Sequence, residues 1–124
     1  MLTLRDVAQV LQAEVLCGEG LLDRPVPWAF GGDLMSDVLA LASPKAVLLT
    51  GLTNPQVIRT AEMVDAVGVV LVRGKRPVSG ERTIELAEES GIPVLSTPLL
   101  MYDSCGLLFG LGIRGASATR SSKA

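Results

Sequence analysis

The side chains that most often carry out catalysis are scarce in this sequence. Its 124 residues contain no histidine, so the commonest general base and the usual partner of a serine or cysteine nucleophile are both missing. The two cysteines, Cys17 and Cys105, lie far apart and outside any CxxC or Cys/His pattern, which predicts neither a disulfide framework nor a zinc or iron–sulfur site. We therefore predict a chain with no catalytic residues, no metal ligands and no cofactor.

Polar residues suited to binding an anion follow four apolar runs of the sequence. Backbone N–H groups at helix N-termini favour phosphate, and Arg73, Lys75 and Arg76 add positive charge to one of these loops. The same residue types also cap helices and form turns without any ligand, so both interpretations stay open at each position, and the site hypothesis rests on the convergence of the loops. The candidate ligand-binding residues are Asp33, Thr50, Gly51, Thr53, Asn54, Arg73, Gly74, Ser96 and Thr97.

Short apolar runs that alternate with helical patterns must position these loops. Thr3 and Asp6 form a capping-box pattern before the first amphipathic segment. The prolines within residues 25–27 predict that the strand around residues 26–30 starts irregularly or lies at an edge of the sheet. Asp33 is the predicted N-cap of an apolar helix that we expect to be buried on more than one side.

The order of elements predicts an α/β fold in which crossover helices join parallel strands. The carboxyl ends of such strands share one edge of the sheet, where open α/β folds bind ligands. We expect the loop 96–98 to cap the last helix and Gly91 to end the helix before it. The predicted strands are 14–17, 26–30, 46–49, 68–72 and 92–95, and the predicted helices are 4–11, 34–42, 55–66, 81–90 and 99–111.

Composition and charge restrict the possible partners. Hydrophobic residues make up 48% of the chain and charged residues 19%, whereas globular domains carry about 25% charged residues. The surplus favours a second apolar surface buried in a homodimer or against another protein, although abundant Ala and Val would also produce it. The net charge of −2 argues against nucleic acid as a partner. The length predicts one domain, residues 1–114, followed by a disordered tail, residues 115–124.

The sequence contains no segment that directs the chain to a membrane. The first 11 residues lack the basic start of a signal peptide and interrupt their apolar stretch with Arg5 and Asp6. No uninterrupted apolar run reaches the roughly 18 residues that a membrane span needs. We therefore predict a cytoplasmic protein.

Three stretches of the chain resemble the DRTGG-domain family. They are residues 32–40 (GDLMSDVLA), residues 47–51 (VLLTG) and residues 91–98 (GIPVLSTP). The resemblance extends to about Ile113. It implies a three-layer α/β/α domain with a largely parallel sheet of about four to five short strands, similar to the N-terminal domain of HPr kinase/phosphorylase.

The resemblance also implies a role. Members of this family occur within some phosphotransacetylases, between the CBS domains of certain inorganic pyrophosphatases, and as short stand-alone proteins, some encoded near components of iron-only hydrogenase. We therefore expect a non-catalytic regulatory or assembly module that forms a homodimer and binds a partner enzyme or a hydrogenase component. A sensor of a nucleotide or another anionic small molecule is the alternative. The family's naming residues are changed here to Thr53-Asn54-Pro55 and Arg73-Gly74-Lys75, so the ligands of other members are not carried over.

Overall fold

Six strands form one sheet in the order β1-β5-β4-β3-β2-β6 in the computed structural model, which describes residues 1–121. Strands β2 to β6 run parallel to their neighbours, and β1 pairs antiparallel with β5 at one edge. The strands are β1 Glu14–Cys17, β2 Trp28–Gly31, β3 Ala46–Thr50, β4 Gly68–Leu71, β5 Val94–Ser96 and β6 Arg114–Gly115. The helices are α1 Leu4–Val10, α2 Met35–Leu41, α3 Pro55–Met63, α4 Thr83–Ser90, α5 Met101–Gly110 and α6 Ala116–Ser121.

Local signals determine most of the element boundaries. The Thr3 hydroxyl accepts a hydrogen bond from the Asp6 backbone N–H, and the Asp6 carboxylate accepts one from the Thr3 N–H at 2.8 Å, which confirms the capping box at the start of α1. Pro55 opens α3 behind the N-cap Asn54. Gly91, with a φ of 68°, ends α4 in the left-handed conformation that suits glycine.

The two central strands, β3 and β4, are buried along their whole length, and helices cover both faces of the sheet. Successive side chains point to opposite faces. Val47 and Val70 join a core cluster with α1 and α5, whereas Leu48 and Val69 join one with α2, α3 and α4. The predicted α/β/α class is therefore confirmed, with six strands in place of the expected four to five.

The position of β2 partly differs from the prediction. It pairs with β3 over four residues and with β6 over the two residues Trp28 and Ala29. β2 is thus one place from the edge of the sheet, and its only outer neighbour among residues 1–121 is the two-residue strand β6. The prolines that precede it lie outside the ladder, as their missing N–H groups require.

Two predicted helix caps are wrong. The N-cap position of α2 is Leu34, without a side-chain hydrogen bond, because the Asp33 carboxylate bonds instead to the loop after β3. The N-cap position of α5 is Leu100, also without a side-chain bond, so the loop 96–98 does not cap that helix. The expected burial of α2 on more than one side is wrong as well, because Val38 is its only fully buried residue.

The C-terminal segment differs from the expected disordered tail, residues 115–124. Arg114 and Gly115 pair with β2, and Ala116–Ser121 form α6. The part of that prediction that concerns residues 122–124 lies outside the described residues. None of the helices within residues 1–121 is long and apolar enough to cross a membrane.

Two buried threonines offer a matched test of the packing. The Thr97 hydroxyl donates to the Leu11 carbonyl and accepts from the Leu99 N–H at 3.2 Å, whereas the Thr60 hydroxyl has no hydrogen-bond partner among the described residues. We expect Thr97→Val to lower the free energy of unfolding by about 1–3 kcal/mol, since it leaves a buried carbonyl unpaired. Thr60→Val should leave it unchanged or raise it. Urea denaturation measures both variants, and equal losses would contradict this assignment.

Candidate functional site

The loops that were predicted to form a site meet at the carboxyl ends of β2 to β5. The Asp33 carboxylate joins the loop after β2 to the loop after β3, accepting hydrogen bonds from the Thr50 hydroxyl at 2.9 Å and the Gly51 N–H at 2.7 Å. The Gly74 N–H donates to the Thr97 carbonyl at 2.8 Å and so joins the loops after β4 and β5. The structure therefore brings the predicted residues to one edge of the sheet, in two linked pairs of loops.

Asp33 is an anion supplied by the protein itself. The Gly51 N–H is the main cause that holds the pKa of its carboxyl below the usual value, and the Thr50 hydroxyl and the positive charge of Arg73 act in the same direction against partial burial. The carboxylate thus occupies the N–H and hydroxyl groups that the sequence assigned to a bound phosphate. A ligand anion at this position has to replace it.

Arg73 lies directly over Gly51. A Cβ atom at position 51 would overlap the Arg73 guanidinium, so only glycine allows this approach. Arg73 and Gly74 both have positive φ, 63° and 67°, in a tight turn that the Lys75 N–H closes onto the Val72 carbonyl at 3.2 Å. The turn therefore fixes the Arg73 backbone, and its exposed side chain brings a positive charge to this edge of the sheet.

Most of the other candidate residues form hydrogen bonds within the protein. Asn54 accepts from the Gln56 N–H at 3.0 Å, which confirms the capping interpretation at this position. The Ser96 hydroxyl donates to the Lys75 carbonyl at 2.7 Å, and the Thr53 carbonyl accepts from the Thr83 hydroxyl at 2.9 Å. Of the predicted set, Arg73 and Gly74 remain exposed beside Asp33.

The two thiols are held in their protonated form. Burial raises the pKa of both Cys17 and Cys105, which lowers the fraction of reactive thiolate at neutral pH. The Cys17 thiol is buried and donates to the Ile92 carbonyl. Within residues 1–121, no three His, Cys, Asp or Glu side chains are grouped so that they could hold a metal ion.

Large apolar side chains on α2, α5 and their flanks face solvent. The two helices lie on opposite faces of the sheet beside β2, because Met35 packs with the cluster that contains Phe30, whereas Met101 packs with the cluster that contains Ala29. The exposed fractions range from 39% to 88%. We call this surface the apolar flank; it consists of Leu34, Leu39, Leu41, Leu100, Tyr102, Leu107, Phe109 and Leu111.

A groove of about 480 Å³ lies at the opposite edge of the sheet, where the sequence predicted no site. Its lining includes Pro27, Lys45, Val67 and Ile92, which come just before β2, β3, β4 and β5 respectively, and Arg24. We call it the amino-edge groove. The prediction missed it because it rested on the carboxyl ends of the strands, and no residue type before the strands signals a cavity.

Backbone strain accompanies the rim of the amino-edge groove. Lys45 and Asp65 both have positive φ, 67° and 57°, and the Lys45 N–H donates to the Asp65 carbonyl at 2.9 Å. For Lys45 this conformation costs roughly 1–2 kcal/mol more than for a glycine, whereas aspartate adopts it more readily. Their side chains form an ion pair at 2.9 Å, and with 61% and 62% exposure it contributes only about 0.2–1 kcal/mol. The same backbone conformation recurs at Gln12, Arg73 and Arg82 and is not confined to this rim.

The comparisons with known proteins show similarity in fold. No family model matches the sequence, and no curated protein matches it. A solved structure with a similar fold is that of the CBS and DRTGG domains of the regulatory region of Clostridium perfringens pyrophosphatase, complexed with its activator diadenosine tetraphosphate. The TM-score is 0.69 at 18% sequence identity, over 86% of this chain and 45% of that one. The present chain thus spans less than half the length of that regulatory region, and at this identity the similarity concerns the fold.

Asp33 should contribute a pH-dependent part of the stability. Because its folded pKa is lowered, the contribution is complete above the ordinary aspartate pKa of about 3.9 and is lost as the pH falls through the lower folded pKa. We expect Asp33→Asn to reduce the stability at pH 7 and to flatten its decline in acid. Asp37→Asn is the control, since it removes one exposed carboxylate from the next helix. Urea denaturation at pH 7 and in acid, down to about pH 3, measures this, and an unchanged pH slope for Asp33→Asn would contradict it.

Proposed function

We propose that this chain is a non-catalytic regulatory or assembly module of the DRTGG type that forms a homodimer through the apolar flank. The observation that carries the proposal is the exposure of eight large apolar side chains on and beside α2 and α5. The pyrophosphatase structure supports the regulatory part, because the region of similar fold is regulatory in that enzyme. The partner would be an enzyme, a hydrogenase component or another protein of the same process.

The chemistry of the apolar flank is that of a protein interface. Interface cores are depleted in charged residues and enriched in aromatic ones. Between Met101 and Gly110, α5 carries one charged residue, Asp103, together with the aromatic residues Tyr102 and Phe109. Exposed apolar patches on a small soluble domain mark interaction sites, and the apolar flank comprises such side chains on two helices at opposite faces of the sheet. A second copy of the chain offers the same mainly apolar side chains, and two-fold homodimers are the commonest assemblies.

A charge placed at Phe109, in the last turn of α5, tests the dimer. We expect the wild-type chain to have twice its 13.0 kDa mass in solution. Phe109→Glu should raise the dissociation constant at least tenfold, since burying a carboxylate in an apolar contact is unfavourable. Met63→Glu is the matched control, because Met63 is 71% exposed on α3, outside the apolar flank.

Sedimentation velocity over a range of concentrations measures these masses, and circular dichroism checks that both variants fold. A wild-type monomer at high micromolar concentration would overturn the dimer. Equal weakening by Phe109→Glu and Met63→Glu would show that the apolar flank is not the interface.

The second candidate function is an anion sensor at the carboxyl edge of the sheet. The position of Arg73 favours it. Its guanidinium lies over Gly51 and acts on the Asp33 carboxylate. A phosphate group that displaced Asp33 would gain the Gly51 N–H, the Thr50 hydroxyl and the Arg73 charge. The pyrophosphatase regulatory region, part of which has a similar fold, is complexed with its activator diadenosine tetraphosphate, which supports a nucleotide as the ligand to test first.

Thermal unfolding with diadenosine tetraphosphate, ATP and inorganic pyrophosphate tests the sensor. A ligand at 100 times its dissociation constant adds about 2.7 kcal/mol of stability, which raises the melting temperature by several degrees. We expect Arg73→Ala to abolish the rise, whereas Arg59→Ala, which removes an exposed arginine from α3, should retain it. No rise with any of the three ligands, or equal loss in both variants, would contradict the sensor.

A further inference from the structure

We infer that the amino-edge groove binds a small zwitterion with an apolar body, of the chemical kind represented by a free aromatic amino acid. This site is separate from the apolar flank and from the Arg73 loop, and the inference does not depend on either. It rests on the volume of the groove, on its apolar walls, and on two opposite charges that lack ion-pair partners.

The groove has room and walls for an apolar group. Its volume of about 480 Å³ lies within the roughly 300–1,000 Å³ of small-molecule sites. The walls include Pro25, Pro27, Val67 and Ile92. Val67 and Ile92 belong to the two core clusters on opposite faces of the sheet, so the floor of the groove is part of the rigid core.

Arg24 provides a fixed positive charge. Its Nη1 donates to the Gly91 carbonyl at 3.0 Å and to the Val67 carbonyl at 3.3 Å. These contacts hold the guanidinium between the loops that precede β4 and β5. Arg24 forms no ion pair with a residue of the described chain. Its remaining N–H groups can donate to a carboxylate in the two-bond geometry that arginine favours.

Glu62 provides the complementary negative charge. It lies on the exposed side of α3 and lines the same groove. Within residues 1–121 its carboxylate has no cationic partner, whereas Asp65 beside it is paired with Lys45. A ligand with one carboxylate and one ammonium group matches both of these unpaired side chains, whereas a simple anion or a simple cation leaves one of them unmatched. This complementarity supports a zwitterion.

Three probes of similar shape and different charge test the inference on the full chain. They are L-phenylalanine, the anion 3-phenylpropionate and the cation 2-phenylethylamine. We expect L-phenylalanine to shift the amide resonances of Val67 and Gly91 in NMR titrations, and each singly charged analogue to bind about tenfold more weakly or worse, since it loses one charge-assisted contact.

Substitutions test the contribution of the Glu62 carboxylate and of the groove itself. Glu62→Gln should weaken L-phenylalanine about tenfold and leave 3-phenylpropionate unchanged or tighter, whereas Glu89→Gln, an exposed acid of α4 outside the groove lining, should change neither. Ser90→Trp, which fills the groove from its lining, should abolish binding of all three. The side chains of Glu62 and Ser90 form no hydrogen bond with another residue among residues 1–121, and an unchanged amide spectrum away from the groove shows that each variant is folded.

Three results would overturn the inference. The first is the absence of any shift at Val67 and Gly91 with L-phenylalanine up to about 10 mM, which corresponds to negligible affinity. The second is equal binding of L-phenylalanine and 3-phenylpropionate by the wild-type chain. The third is unchanged binding of L-phenylalanine in Ser90→Trp. Sedimentation of the same samples reports the dimer independently, so failure here and failure of the proposed assembly are distinguishable.

Discussion

The burial of β3 and β4 on both faces is the constraint on which the rest of this structure depends. Val47 and Val70 point to one helix layer, whereas Leu48 and Val69 point to the other, so neither face of the central sheet is open to a partner. Parallel strands with both faces covered have this character. Binding is therefore restricted to the two ends of the strands, the lateral edges of the sheet and the outer faces of the helices.

The two ends of the strands differ in how the adjoining loops are bonded and in the space that they leave. At the carboxyl edge, loop groups pair with one another: Asp33 satisfies Gly51 and Thr50, and Thr97 and Ser96 bond to backbone carbonyls. At the amino edge, the segments before the strands line a groove, and Arg24 bonds to the loops that precede β4 and β5. An open cavity therefore lies at the edge opposite to the one where open α/β folds usually bind ligands.

The elements that the sequence predicted well are those whose signals are local. The capping box at Thr3, the proline that opens α3, the glycine that ends α4 and the continuous apolar runs of β3 and β4 all act within a few residues. The strand β6 was missed because two residues carry no pattern and it forms by pairing with β2. The cap of α2 was wrong because Asp33 is attracted to Gly51, 18 residues away, rather than to its own helix.

The candidate site shows the same division between local and distant contacts. The residue types placed Asp33, Arg73 and Thr97 at one edge of the sheet, since position at the end of a strand follows from the order of elements. Which of them keeps a free polar group depends on contacts across the fold, such as that between Thr97 and Leu11, and no local pattern encodes these. The apolar flank is a further example. The composition shows that the chain has an excess of apolar residues, but it does not show which of them are exposed.

The two lateral edges of the sheet differ in how well they suit contact with a second copy of the chain. At the β1 edge, Glu14 and Arg76 form a charged pair, and the strand runs antiparallel to its neighbour; charged side chains of this kind discourage edge-to-edge pairing. The exposed apolar side chains of α2 and α5 lie towards the other side, beside β2 and β6. Self-association through these helices, as proposed above, would leave the charged β1 edge outside the contact.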